Sequence, residues 1–144
     1  MINLNKCIKT EKGVLNFMRD YKLKSSGLQP HVYAQVVAIV KGYESMKTEY
    51  EDILQRQNSV FLNGQPKGSR IADRTSRDAA KRADLSEKIE AIDQAISSIP
   101  EEYRKGIWNN AVHGTPYPDE AHRSTYWRYK AKFFQDIAKR MYWI

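Results

Sequence analysis

The chain has 144 residues, of which 41% are hydrophobic and 28% are charged, and its formal net charge is +7. This length suits one compact domain, and a basic excess is typical of proteins that neutralise phosphates. No apolar run approaches the roughly 20 residues of a membrane span, so we expect a cytoplasmic protein without a membrane partner. The single cysteine, Cys7, excludes an intrachain disulfide and a cysteine metal cluster.

Residues 1–29 form the first predicted unit. Apolar residues between Glu11 and Leu23 are spaced loosely as in a helix, and the breaker KSSGLQP follows them. We therefore expect an N-terminal segment with one short helix.

Residues 30–99 have the pattern of a long helical hairpin. After Pro30, apolar residues recur at spacings of three and four as far as Ile53, and we call this series a seam. A second seam with the same spacing runs from Leu85 to Ile99. Such spacing places the apolar residues on one stripe of a helix. The two seams can pair within the chain, or they can pair between chains as a homo-oligomer.

The connection between these helices is predicted to be a loop at 58–74. It contains Asn-Gly, Pro and Gly, which break regular structure. Thr75 is then a suitable N-cap for the second helix. Gly42 lies inside the first helix and weakens it by about 1 kcal/mol relative to alanine.

Residues 100–144 are predicted to form two helices separated by a tight turn. Pro100 suits a first helical position, and Gly114 suits the left-handed conformation that ends a helix. Two prolines follow within four residues and rule out a continuous helix. The last helix begins at about Asp119 or Ser124 and runs almost to the C-terminus.

This last helix carries the densest basic segment of the chain. Residues 123–140 contain six cations and a single acid, Asp136. A projection at about 100° per residue separates an apolar face from a polar, basic face. The apolar face comprises Tyr126, Tyr129, Phe133, Phe134, Ile137 and Met141, and the opposite face comprises Ser124, Arg128, Lys132, Gln135 and Lys139.

A basic helix after a tight turn has the chemistry of a helix that reads the DNA major groove. Arginine pairs with guanine, glutamine reads adenine, and hydroxyls and lysines hold phosphates. A solvated surface has the same charge pattern. The residues predicted to face the groove are Ser124, Thr125, Arg128 and Lys132. The residues predicted to contact phosphate are Arg104, Arg123, Lys130 and Lys139, with Trp127 as an edge residue able to stack on a base.

No catalytic, metal or cofactor site is predicted. The acidic pairs at 101–102 and 119–120 lie at predicted helix starts, where carboxylates complement the helix dipole. The three histidines are badly spaced for zinc, and NGQPKG lacks the Gly-Lys-Ser/Thr of a phosphate-binding loop. The sequence therefore predicts a binding protein rather than an enzyme.

The order of several short motifs resembles phage transcriptional regulators of the RinA and ArpU type. The resemblance covers residues 30–144 and includes a glycine-containing linker in which Asn63 and Arg74 replace the usual Asp and Pro. The C-terminal part is similar to the helix-turn-helix of sigma-70 region 4, with its middle helix shortened. The matching positions are Ile89, Ile92, Ile96, Ile99, Tyr103, Arg104, Tyr117, Ala121, Ser124, Thr125, Tyr126, Phe133, Ile137 and Ala138.

The resemblance implies an all-α regulator of phage or prophage genes that binds duplex DNA and contacts host RNA polymerase, with activation of late genes as its expected role. A DNA-packaging protein similar to a small terminase subunit is the second interpretation. A helical interaction module without DNA binding is the third. Variants of the basic face discriminate the third from the first two, because an interaction module retains its activity when that face is neutralised.

Overall fold

The computed structural model describes residues 26–62 and 68–144. Within these residues every regular element is a helix, so the predicted all-α class is confirmed. The short helix predicted within residues 1–29 lies outside the described residues. The helices are α1 (Pro30–Lys41), α2 (Tyr43–Leu62), α3 (Gly68–Ser97), α4 (Glu101–His113) and α5 (Arg123–Arg140).

The first long helix is divided at Gly42. Pro30 begins α1, and the helix ends at Gly42 with φ −85° and ψ 4°. The hydrogen-bond pattern continues across this point, because the amide of Gly42 donates to Ala38 and that of Met46 donates to Gly42. Glycine is the weakest helix former apart from proline, which explains why the interruption falls here.

The connection between α2 and α3 is shorter than the loop predicted at 58–74. α2 continues to Leu62 and α3 begins at Gly68, so Thr75 lies inside α3 and is not its N-cap. The Asn-Gly and Pro breakers fall between these helices, in 63–67. After Gly68 no proline or glycine occurs until Pro100, so nothing stops the helix from starting early.

α2 and α3 pack against each other in an antiparallel orientation. Arg56 forms an ion pair with Asp78 at 3.6 Å, and Lys81 forms one with Glu49, nearer the start of α2. Exposed pairs of this kind contribute at most about 1 kcal/mol. Ile53, which lies between Glu49 and Arg56 on α2, is completely buried.

The hydrophobic core lies where α1, α4 and α5 meet the C-terminal half of α3. The seam residues predicted in α1 and α3 supply much of it, and the apolar face of α5 supplies its largest side chains. This packing holds α5 along one entire face. The buried core residues are Leu28, Val32, Val36, Val40, Tyr43, Ile92, Ala95, Ile99, Ile107, Ala111, Tyr126, Phe133, Phe134, Ile137 and Ala138.

The shortened middle helix predicted in the C-terminal unit is absent. Residues 114–122, which we call the 114–122 loop, contain a turn at 119–120 and no helix. Pro116 and Pro118 account for this, since each lacks an amide donor and disfavours helical conformation at the preceding residue. α4 and α5 are therefore joined by an irregular connection.

Candidate nucleic-acid interface and adjoining cavity

One side of α5 is an exposed, basic surface. Ser124, Arg128, Lys132 and Lys139 are all exposed, whereas Phe133 on the opposite side is completely buried. The four exposed residues fall within an arc of about 80°. We call Ser124, Arg128, Lys132 and Lys139 the basic face.

His122 fixes the start of this face. Its Nδ1 accepts a hydrogen bond from the amide of Ser124 at 3.2 Å and lies 2.7 Å from the Ser124 hydroxyl oxygen. The half-buried Thr125 follows, and its amide donates to the carbonyl of His122 at 2.9 Å. The first turn of α5 is therefore capped within the protein itself.

The basic face is open to a polyanion because its cations are not tied to carboxylates. Among the described residues, Arg128, Lys132 and Lys139 have no ion-pair partner within 4.0 Å. Arg140 on the same helix differs, because it forms an ion pair with Asp136 at 3.2 Å. A phosphate can therefore contact the three unpaired cations without displacing an internal partner.

Three other predicted DNA-binding residues lie on a different side of α5 from the basic face. Arg123, Trp127 and Lys130 line a cavity of about 350 Å³ between α5 and the 114–122 loop. On the helix they fall within an arc of about 60°, and the centre of this arc is about 130° from the centre of the basic face. The structure thus divides the predicted residues of α5 between two surfaces.

Lys130 is held in the wall of this cavity. Its ammonium donates to Oδ1 of Asn110 at 2.7 Å and lies 5.5 Å from the ring centroid of Phe134. The Nδ2 of Asn110 donates to the carbonyl of Thr115 at 2.8 Å. One amide side chain on α4 therefore anchors both the 114–122 loop and a lysine of α5.

Tyr117 forms the inner wall of the cavity. Its ring stacks on Tyr126, with centroids 5.0 Å apart and planes 9° apart. Burial raises the pKa of Tyr117 to about 12, although the guanidinium of Arg123 opposes the shift. The phenol therefore remains neutral and a hydrogen-bond donor throughout the physiological pH range.

Arg104 lies at the junction of α3 and α4. Its Nε donates to the carbonyl of Ile99 and its Nη2 to that of Ser97, both at 2.7 Å. Ser97 is the last residue of α3, where carbonyls lack intrahelical donors, and Ile99 lies in the turn between α3 and α4. The guanidinium that was predicted to hold phosphate thus caps a helix.

Replacing Arg104 with alanine is expected to lower the free energy of unfolding by about 1–2 kcal/mol, because two charge-assisted hydrogen bonds to backbone carbonyls are lost. Chemical denaturation measures this loss. Lys105→Ala, an exposed neighbour on α4, serves as control and should change stability by less than about 0.5 kcal/mol. Unchanged stability of the Arg104 variant together with weaker DNA binding would instead support a phosphate contact.

Gly106, which no sequence pattern singled out, and Gln135, which was predicted only to lie on the polar face, both help to position the site. Gly106 on α4 is buried, and a Cβ there would lie 2.9 Å from both Pro118 and Tyr126. A glycine inside an amphipathic helix costs stability, so its presence signals a close approach.

Gln135, predicted to lie on the polar face, donates to the carbonyl of Ser26 at 2.6 Å. No local pattern indicates that contact.

Together these features define an all-α protein with an exposed basic helix and an aromatic, basic cavity beside it. Comparisons with protein-family models, curated proteins and solved structures found no match to this chain. In the described part of the chain, no cluster of His, Cys, Asp and Glu could hold a metal ion. None of the helices in residues 26–62 and 68–144 is long and apolar enough to cross a membrane.

Proposed function

We propose that this protein binds duplex DNA through the basic face of α5 and regulates phage or prophage transcription. The observation that carries the proposal is the exposed arc of Arg128, Lys132 and Lys139 on a helix whose opposite face is buried. Burial fixes the helix before DNA arrives, so little conformational entropy is lost on binding.

The dimensions of the basic face suit a DNA groove. The major groove is about 12 Å wide and admits one α-helix. At about 1.5 Å per residue, Arg128 and Lys132 lie about 6 Å apart along the axis, and Ser124 and Lys139 lie about 22 Å apart. The central pair can therefore enter the groove while the outer residues reach the flanking phosphates.

Each side chain then has a role that matches its chemistry. Arg128, near the middle of the basic face, can pair bidentately with the O6 and N7 acceptors of guanine. Lys132 lies one turn further on, and Lys139 is placed for a phosphate contact. Ser124, whose hydroxyl lies against His122, can contact a phosphate from the N-terminal end of the helix.

The role in transcription rests on the sequence resemblance to phage regulators and to sigma-70 region 4. That resemblance supports host RNA polymerase as the second partner. The missing middle helix changes how α5 is presented, because the 114–122 loop replaces a helix that would lie behind the recognition helix. The docking angle on DNA is consequently expected to differ from that of a sigma factor.

Selection of bound sites from a random duplex library tests the proposal. The unaltered protein should enrich one sequence motif, and Arg128→Ala should lose preference at one base pair, by about 1–3 kcal/mol. Lys41→Ala, which removes an exposed cation at the end of α1, is the control and should enrich the unaltered motif. Failure of the unaltered protein to enrich any motif would contradict sequence-specific binding.

A further inference from the structure

The cavity beside the 114–122 loop has a chemistry that DNA binding by the basic face does not use. It measures about 350 Å³, near the lower end of the range of about 300–1,000 Å³ typical of small-molecule sites. Its lining combines two aromatic rings, Tyr117 and Trp127, with two cations, Arg123 and Lys130, and one carboxylate, Asp119. Such a mixture suits a ligand that is aromatic at one end and anionic at the other.

The aromatic wall is fixed in place by the core. Tyr117 is stacked on the buried Tyr126, and the ring of Trp127 meets that of Tyr117 at 67° with centroids 6.5 Å apart. Trp127 is half-buried, so part of its ring remains accessible. A planar heterocycle can stack on this surface without rearrangement of the rings.

The cationic wall favours a phosphate over a single carboxylate. Arg123 is exposed at the cavity rim and can bind two phosphate oxygens at once, while Lys130 is held in the wall by its hydrogen bond to Asn110. Two cations can each contact a separate oxygen of one phosphate group, whether that group is the monoester of a free nucleotide or the diester of a strand. Asp119 on the same rim can accept a hydrogen bond from an exocyclic amino group.

We propose that this cavity binds one nucleotide, with its base against Trp127 and its phosphate between Arg123 and Lys130. The nucleotide is either a free mononucleotide or an unpaired nucleotide of a DNA strand, since both present a base and a phosphate. Neither Arg128 nor Lys132 lines this site. The site therefore does not require DNA binding by the basic face.

Tryptophan fluorescence during titration with adenosine 5′-monophosphate tests this proposal on the full chain. The mononucleotide should quench emission with a dissociation constant below about 1 mM, while adenosine alone and inorganic phosphate alone should each bind at least about tenfold more weakly. Trp127→Phe should abolish the quench. Trp108→Phe, which removes a tryptophan packed on Tyr43, should retain it.

Arg123→Gln tests the phosphate contact without disturbing the core, because the side chain is exposed. It should weaken mononucleotide binding at least about tenfold, and circular dichroism should show unchanged helix content. Arg77→Gln on α3 is the control with the same charge change and should bind normally. Absence of a quench in the unaltered protein, or equal binding by the two arginine variants, would overturn the proposal.

A second titration distinguishes a free mononucleotide from an unpaired nucleotide of a DNA strand. It uses the Arg128→Ala/Lys132→Ala variant, which lacks the centre of the basic face. A tetranucleotide that binds at least about tenfold more tightly than the mononucleotide identifies a DNA strand as the source. Equal affinities identify a free nucleotide. Because neither Arg128 nor Lys132 lines the cavity, mononucleotide binding should persist in this variant even if the basic face proves not to bind DNA.

Discussion

Replacing Tyr126 with alanine is expected to lower the free energy of unfolding by about 3–5 kcal/mol. Tyr126 is 1% exposed, and its ring stacks on that of Tyr117 and is nearly perpendicular to that of Tyr103, with centroids 5.5 Å apart. Its removal leaves a cavity and withdraws support from α4 and the 114–122 loop together. The cost is therefore larger than that of losing one apolar contact.

Thermal and chemical denaturation of the Tyr126 variant measure this effect. Tyr142→Ala is the matched control, because Tyr142 is 88% exposed and its φ of 58° is disfavoured for tyrosine and for alanine alike, since both carry a Cβ. Its expected change is less than about 0.5 kcal/mol. A loss below about 1 kcal/mol in the Tyr126 variant would contradict the packing described here.

Valine at Gly106 is expected to cost about 3 kcal/mol of stability and to displace the 114–122 loop. Even a Cβ at this position would lie 2.9 Å from both Pro118 and Tyr126. Alanine is a better helix former than glycine by about 1 kcal/mol, which offsets only part of the cost of overpacking. Gly106→Ala should therefore lose less stability than Gly106→Val, and both should lose some.

Denaturation of the two Gly106 variants, together with Gly42→Ala, checks the reason for the loss. At Gly42 a Cβ would meet only backbone oxygens of its own chain, the nearest being that of Ala38 at 3.3 Å. Alanine there should be neutral or should stabilise by up to about 1 kcal/mol. A stabilising Gly106→Ala would show that the close approach of the loop is not a constraint.

The helices could be predicted from the sequence largely because apolar periodicity is a local signal. The seam that ends at Ile53 and the seam that ends at Ile99 both supply buried residues, and Gly114 ends α4 with φ 69° as a C-cap glycine should. The separation of the buried Phe133 from the exposed Arg128 also follows from helical spacing alone.

The helix ends could be predicted less well. The sequence predicts too long a connection at 58–74 because Thr75 has the chemistry of an N-cap, yet a threonine within a helix costs only about 0.5 kcal/mol. Because no proline or glycine interrupts the chain between Gly68 and Pro100, so small a preference does not delay the start of the helix. The middle helix was inferred from a family pattern, and the prolines of the 114–122 loop exclude it.

The division of the site into two surfaces could not be predicted, because it depends on contacts distant in sequence. Lys130 meets Asn110 twenty residues earlier, and Gln135 meets Ser26 more than a hundred residues earlier. Arg104 caps α3 only because the turn at Pro100 brings the end of that helix within reach. The charge pattern of the sequence does not distinguish cations that form internal hydrogen bonds from exposed cations that a polyanion can reach.

The central claim, that the basic face binds duplex DNA, is tested most directly by the salt dependence of binding. The measurement compares the unaltered protein with the triple variant Arg128→Ala/Lys132→Ala/Lys139→Ala, on one duplex, between about 50 and 200 mM salt. A second triple variant, Lys41→Ala/Arg74→Ala/Arg77→Ala, removes the same charge from exposed positions elsewhere.

Each phosphate contact contributes about 0.9 to the slope of the logarithm of the binding constant against the logarithm of salt concentration. We predict that this slope is smaller by up to about 3 in the basic-face variant, which should also bind at least about a hundredfold more weakly than the unaltered protein. The control variant should retain most of the slope and most of the affinity. Equal slopes and affinities for the two triple variants would contradict the assignment of DNA binding to α5.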